Sequence, residues 1–216
     1  KPLMEIVSSA QGELVIDLMI KKIKEFWNNE EFQMSKYQDK CMLIKGWDDI
    51  MTKIEDDLSQ LNAMKLSQFY KIFEDEAKSW NDKLVNLQGC LDIWVNVQRK
   101  WVYLEGIFLG SSDISQQLPN EYAKFKSIDN DFTTLMKKAH SKLKILEVVT
   151  SLPNLQKSLQ ILYDSLEKIQ KALSEYLETQ RQAFARFYFV GDEDLLEIIG
   201  NSKDVTNIQK FFCKMF

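Results

Sequence analysis

A near-continuous apolar stripe governs what this chain can become. Phe69, Phe73, Ala77, Trp80, Leu84, Leu87, Leu91, Trp94, Gln98 and Trp101 recur in steps of three and four, the spacing that lines one face of an α-helix. With Ser67 as N-cap, the stripe predicts a helix of almost forty residues, a rod of about 60 Å at 1.5 Å per residue. Its neighbours must be helices able to cover that face. Only 7 Gly and 3 Pro interrupt 216 residues, so turns are few and the elements between them long. Gly89 lies inside the stripe, where it costs about 1 kcal/mol relative to Ala and marks a bend or a close helix crossing.

The flanking sequence supplies those neighbours. Ile6, Leu14, Leu18 and Ile23 give a helix from Leu3 to Trp27. Phe32 and Met34, then Cys41 and Leu43, alternate with polar residues around a Tyr37-Gln38-Asp39-Lys40 turn, which reads as a short β-hairpin near 32–45. After Gly46, Ile50, Ile54, Leu58, Leu61 and Met64 mark a helix whose start carries Asp48 and Asp49, suited to a positive N-terminal end. The stretch Gly106–Pro119 holds two glycines, two serines and a proline and reads as a loop. Pro119 can open the next helix because its missing N–H has no helical partner there. Tyr122, Phe125, Ile128, Phe132, Leu135 and Ala139 form that helix's apolar face, and a short helix follows around Leu143 to Val149. Pro153 introduces a coiled-coil-like seam of Leu155, Leu159, Leu162, Leu166, Ile169, Leu173 and Tyr176, suited to shallow packing against a partner helix. A module at 186–204 closes the pattern. It reads as an aromatic strand, Phe187 to Val190, running through Gly191 into a helix capped by Asp192 and ended by Gly200-Asn201. Asp204 and Thr206 introduce a last amphipathic turn ending in Phe211, Phe212 and Phe216.

The sum is a mainly α protein: an elongated antiparallel helical bundle with a short β-hairpin and a C-terminal strand–helix module. Residues 1–105 form a first helical block, 106–119 a connecting loop and 120–216 a second block.

Charge and composition narrow the function. A pI near 5.2 and a net charge of −4 speak against nucleic acid, whose phosphates call for clustered positive charge. The short basic runs Lys21-Lys22 and Lys137-Lys138 read as solvated helix faces. Cys41, Cys90 and Cys213 lack metal spacing and fit buried thiols of a reducing compartment. No apolar run reaches the roughly 20 residues that span a bilayer, and no secretory signal is visible at Lys1. Cytosol is the expected compartment, and the abrupt ends suggest an excised piece of a longer chain.

Catalytic groups are scarce. The single histidine, His140, sits at a predicted helix end with no nucleophile motif around it, so a dipole-facing or exposed role is expected. Cys and His are too scattered for zinc. The acidic runs Asp48-Asp49, Glu55-Asp56-Asp57, Glu74-Asp75-Glu76 and Asp192-Glu193-Asp194 lack the alternating ligands and turn glycine of a calcium loop, and read as capping and solvated faces. None of the seven glycines falls in a G-x-x-x-x-G-K-[ST] or G-x-G-x-x-G loop, so no phosphate cradle is expected in this segment. Phe187 and Phe189, on one side of the predicted strand with Tyr188 on the other, are a candidate docking surface, weighed against simple core packing. Gly89, Gly106 and Gly110 are candidate hinges.

Three stretches carry more information than their composition. They are Trp94-Val95-Asn96-Val97-Gln98-Arg99-Lys100-Trp101-Val102-Tyr103-Leu104-Glu105-Gly106-Ile107-Phe108, Asp113-Ile114-Ser115-Gln116-Gln117-Leu118-Pro119, and Arg186-Phe187-Tyr188-Phe189-Val190-Gly191-Asp192-Glu193-Asp194-Leu195-Leu196-Glu197-Ile198-Ile199-Gly200 through Asp204. In this order and spacing they closely resemble the linker region of the dynein heavy chain. Val190-Gly191-Asp192-Glu193-Asp194 is similar to the cytoplasmic rather than the axonemal members. Ala185 departs from the pattern, standing where many relatives carry a proline, which relaxes the entry to the module.

The resemblance implies a mechanical role. In that family the linker lies across a ring of AAA+ modules in the same polypeptide and joins it to the tail. Nucleotide turnover in the ring switches the linker between bent and straight forms, driving movement along the microtubule. ATP and magnesium would belong to the ring, not to this segment, which would itself be no enzyme. The heavy-chain dimer, accessory chains and, indirectly, the microtubule would be its partners in a cytoskeleton-associated complex, with no nucleic acid or membrane. The rival reading is a passive, spectrin-like helical tether; it predicts repeated three-helix units, which the sequence lacks.

Overall fold

The computed structural model describes residues 2–110, 112–200 and 209–215. The described chain is a helical bundle with one two-stranded antiparallel hairpin, as the sequence pattern predicts. In order it comprises α1 (Pro2–Asn29), β1 (Met34–Tyr37), β2 (Cys41–Ile44), α2 (Trp47–Met64), α3 (Tyr70–Gly110), α4 (Ser112–Gln117), α5 (Pro119–Lys142), α6 (Ile145–Ser151), α7 (Leu155–Ala183), a 3-10 turn (Ala185–Phe189), α8 (Asp192–Gly200) and a closing helical turn (Phe212–Met215).

The chain divides into two compact units: residues 1–95 with 135–157, and residues 96–134 with 158–216. α3, α5 and α7 each contribute to both.

In the first unit, α3 buries Ala77, Trp80, Leu84, Leu87, Cys90, Leu91 and Trp94, while Phe73 is half-buried. Trp94 is fully enclosed. Its ring meets Phe32 at 5.8 Å and Trp47 at 6.5 Å, and its Nε1 lies 3.3 Å from the Met136 sulfur. The helix itself begins at Tyr70, not at Ser67; Ser67 instead accepts the Phe69 N–H on its hydroxyl oxygen at 3.3 Å.

The hairpin pairs Met34 with Ile44 and Tyr37 with Cys41, closed by Gln38 at positive φ. Gly46, at φ +67°, occupies the N-cap of α2, a left-handed conformation that favours glycine. The entry to the hairpin is tied down by backbone hydrogen bonds, the Phe32 N–H to Leu143 O at 2.9 Å and the Ile145 N–H to Glu30 O at 3.0 Å.

Two helix faces differ from expectation. On α1 the buried residues are Ile16, Ile20, Ile23 and Trp27, whereas Leu14 and Leu18 are each 54% exposed. Trp27 sets this register: its fully buried ring demands that positions one, two and three turns before it face inward. On α2, Leu58 is half-buried and Asp57 is fully buried. Its carboxylate accepts the Trp27 indole N–H at 2.8 Å and the Lys53 ammonium at 2.5 Å. The Glu55-Asp56-Asp57 run is thus only partly a solvated face; Asp57 is a structural acceptor, satisfying an indole that burial would otherwise leave unpaired.

In the second unit, α3 buries Val97, Trp101, Leu104 and Phe108, α5 buries Phe125, Ile128 and Phe132, and α7 buries Leu159, Leu162, Leu166, Ile169, Leu173 and Leu177. The α7 seam follows the predicted register except at its end, where Leu177 replaces Tyr176 inside. Val97 likewise takes the place foreseen for Gln98. Trp101 packs against Phe132 with tilted rings, centroids 4.7 Å apart, and donates its N–H to Asp129 at 3.0 Å; Phe108 stacks on Phe125 at 5.4 Å.

The described part of 106–119 is mostly helix, not loop. α3 continues through Gly106 to Gly110 and Ser112–Gln117 forms α4. Phe108 and Ile114 are both buried, and that burial outweighs the roughly 1 kcal/mol that each glycine costs a helix.

The expected strand at Phe187–Val190 is likewise replaced, by the 3-10 turn at Ala185–Phe189. Aromatic residues favour a strand only where a neighbouring strand can pair with it. Here Arg181 of α7 takes the carbonyls instead, donating to Phe187 O at 3.4 Å and Val190 O at 3.1 Å. Asn201, foreseen at the end of α8, and Asp204, Thr206 and Phe216, foreseen in the last turn, lie outside the described residues.

Candidate docking site

Parts of all three stretches singled out in the sequence come together in the second unit. Tyr103, Gly106, Ile107 and Gly110 on α3, Ile114 on α4, and Glu193, Leu196, Glu197 and Gly200 on α8 line a groove of about 320 Å³. α4 and α8 pack directly on one another, with Ile114 and Leu195 fully buried. Ser115 fixes α4 to the end of α3 by donating its hydroxyl to Phe108 O at 2.7 Å.

Arg181 anchors α8. Besides the two carbonyls of the 3-10 turn, its guanidinium holds the Asp192 carboxylate at 2.6 Å. Asp192 is the first residue of α8, so this carboxylate serves the ion pair at the helix start. Asp194 pairs with Lys214 at 2.6 Å and Glu197 with Lys210 at 2.5 Å. Glu193 makes no ion pair or hydrogen bond among the described residues. The Tyr103 phenol is pushed above its ordinary pKa, first by burial and then by the negative charges of Asp192 and Glu193.

The candidate hinges all lie within α3. Gly89 faces the start of α7, where an added Cβ would come within 3.2 Å of the Gln156 amide nitrogen. For Gly106 and Gly110, nothing among the described residues lies within 4 Å of such an atom. The structure brings these two together in the groove and leaves Gly89 apart.

The candidate docking aromatics separate. Phe187 is half-buried and packs edge-on against Phe184 at 4.9 Å, the one-turn spacing of a 3-10 helix. Phe189 is 74% exposed and Tyr188 55%. The Tyr188 hydroxyl donates to Glu178 at 2.7 Å, an interaction that raises its pKa. Tyr188 therefore joins Phe189 on the exposed side, which the strand reading had separated.

In the first unit, exposed His140 ends α5 and shares a cleft of about 210 Å³ with Lys36, Lys40, Cys41, Met42 and Lys137. Cys41 and Cys90 are buried free thiols and Cys213 is exposed; the Cys213 side chain lies on the solvent side of the closing turn, a placement its spacing could not reveal. Among the described residues, no group of three or more His, Cys, Asp and Glu is placed to hold a metal ion. Among the described residues, no helix is long and apolar enough to cross a membrane.

What the fold defines is a mainly α helical bundle with one short β-hairpin. The chain belongs to the dynein heavy chain family: residues 1–216 match the family described as dynein heavy chain, N-terminal region 2. It is 58% identical over 212 residues to a cytoplasmic dynein heavy chain of Paramecium tetraurelia, covering 98% of this chain and 5% of the relative. Identity to the cytoplasmic dynein heavy chain of Dictyostelium discoideum is 52% over 212 residues, covering 98% of this chain and 4% of the relative. A dynein heavy chain-like protein 1 of Plasmodium falciparum is 55% identical over 214 residues, covering 99% and 4%. The chain thus spans about a twentieth of the length of the relatives it matches.

Proposed function

We propose that this chain is a linker segment of a cytoplasmic dynein motor, a lever that carries ATP-driven changes of an AAA+ ring to the tail and so moves the motor along microtubules. ATP and magnesium are held by the ring of the full chain and take no part in this segment, which is mechanical rather than catalytic. Its direct partner is that ring; the second heavy chain, the accessory chains and the microtubule are reached through the full motor, in the cytoplasm.

The observation that carries this reading is the convergence of all three linker-like stretches on one groove. A lever also has to resist bending. Fully buried tryptophans whose N–H groups each have a partner, such as Trp27 on Asp57 and Trp101 on Asp129, support that property because packed, satisfied cores deform little.

The test is a distance measurement in the complete motor, with a fluorescent donor at exposed Lys168, changed to Cys, and an acceptor on the ring. Transfer efficiency should switch between two values as the ring binds and hydrolyses ATP. A constant value through the cycle would overturn the lever reading and favour the passive tether.

A further inference from the structure

We propose that Glu178 and Arg181 of α7 form a polar latch over the 3-10 turn at Ala185–Phe189, and that this turn opens as a unit while the helices on either side stay folded. The latch is a property of the segment's own fold and does not rest on the lever reading.

Burial sets where opening starts and where it stops. No residue of the 3-10 turn is buried, and Phe184, Tyr188 and Phe189 are exposed. Opening the turn therefore removes little apolar surface from the core, the contribution that keeps most of a bundle closed. The flanks differ. Leu173 and Leu177 on α7 are buried, as are Val190 and, on α8, Leu195, Leu196 and Ile198. Opening is bounded by Leu177 on one side and Val190 on the other.

The latch is built from two α7 side chains three residues apart, the spacing that makes them neighbours on one helix face. The Arg181 guanidinium donates to Phe187 O at 3.4 Å and Val190 O at 3.1 Å and pairs with Asp192 at 2.6 Å. The Glu178 carboxylate accepts the Tyr188 hydroxyl at 2.7 Å. The turn adds two backbone bonds of its own, the Phe187 N–H to Phe184 O at 2.9 Å and the Val190 N–H to Phe187 O at 3.1 Å, and it packs on the closing helical turn. One guanidinium carries three of these contacts, and Phe187 O takes part in two, so losing one loosens the others. Asp192 is itself half exposed, and water replaces such surface contacts at small net cost. An open turn frees the α7–α8 connection and uncovers Phe187 while both helices keep their packed faces.

The experiment is native-state hydrogen exchange on the complete motor. It reads the Phe187 and Val190 amides, whose bonds break on opening, against the amides of Leu166, Ile169 and Leu173 inside α7. In the wild type the first pair should exchange at least about a hundredfold ahead of the second set. Arg181→Gln should speed Phe187 and Val190 by about tenfold, the loss of its charge-assisted contacts, and leave the α7 amides within about twofold of wild type. Tyr188→Phe removes only the bond to Glu178, yet it should speed Val190 by about threefold because the turn opens as one piece. Wild-type exchange at Phe187 and Val190 as slow as inside α7 would overturn the proposal, and so would unchanged rates in Arg181→Gln. Equal acceleration of the α7 amides would overturn it too, since Arg181 would then support the whole bundle rather than a local latch. A Tyr188→Phe protein with wild-type exchange at Val190 would show that the contacts act separately, and would sink the opening of the turn as a unit.

Discussion

Asp57→Ala probes the least expected contact in the protein. The Asp57 side chain is enclosed and joins α1 to α2 by accepting the Trp27 indole N–H at 2.8 Å, with Lys53 at 2.5 Å on its other oxygen. Truncation leaves the N–H of a fully buried tryptophan without a partner, which costs about 1–3 kcal/mol. The lost bond was made to a charged acceptor, which places the expected value in the upper half of that range. Lys53 adds little, because its side chain is 31% exposed and water replaces the carboxylate. A total of about 2–3 kcal/mol, divided by a urea slope of about 2–3 kcal/mol/M, lowers the unfolding midpoint by roughly 1 M. The assay is urea unfolding followed by far-UV circular dichroism. Trp27→Phe deletes the donor together with part of the buried ring, a packing loss that cancels in the double-mutant cycle, so combining the two substitutions isolates the bond; a coupling of about 1–3 kcal/mol is expected. A midpoint for Asp57→Ala within about 0.2 M of wild type would show that the carboxylate is hydrated in solution and that α1 and α2 do not meet as described.

Trp101→Ala should cost about 3–5 kcal/mol in the same assay, since it removes a fully buried ring packed against Phe132. A midpoint equal to wild type would mean that the α3 face is wrongly placed. Tyr103 supplies a pH signature. Its folded pKa lies above the ordinary value of 10.0, so folding retains a proton that the unfolded chain releases. That stability is fully present below pH 10 and is lost as pH rises through the folded value. Tyr103→Phe should therefore flatten the fall in urea midpoint between about pH 9 and pH 11; equal slopes for the two proteins would refute the assignment.

Much of the framework was legible because burial on a helix is periodic. The α7 stripe predicts all but the last inward residue and the α3 stripe its inward face from Ala77 to Trp101, though not Cys90, Val97, Leu104 or Phe108; the hairpin is marked by its alternation and turn. The errors cluster where two patterns were equally available. On α1, Leu14 and Ile16 belong to competing apolar faces, and only the position of Trp27 against α2 decides between them. At 106–119, glycine and serine advertise a loop, but Phe108 and Ile114 find buried sites that favour helix. At 187–190, aromatic alternation advertises a strand that has no neighbour to pair with.

The groove was half legible. Its three stretches stood out by resemblance, and Gly106 and Gly110 were marked as special, though as hinges in a loop rather than as groove-lining positions on a helix. Glu193 could not be separated from Asp192 and Asp194 by sequence, because all three are acidic neighbours in one run. Their partners, Arg181 and Lys214, lie 11 and 20 residues away from them, and such pairings follow from how helices pack. By itself the sequence determined the class of fold, the inward face of α7 and most of that of α3, and the family, since these depend on local periodicity and on contiguous motifs. Tertiary structure alone decided which carboxylate is buried on a tryptophan, which glutamate is left facing a groove, and whether an aromatic run becomes strand or turn. Each of those outcomes depends on which distant group arrives to satisfy a donor, a charge or a backbone carbonyl.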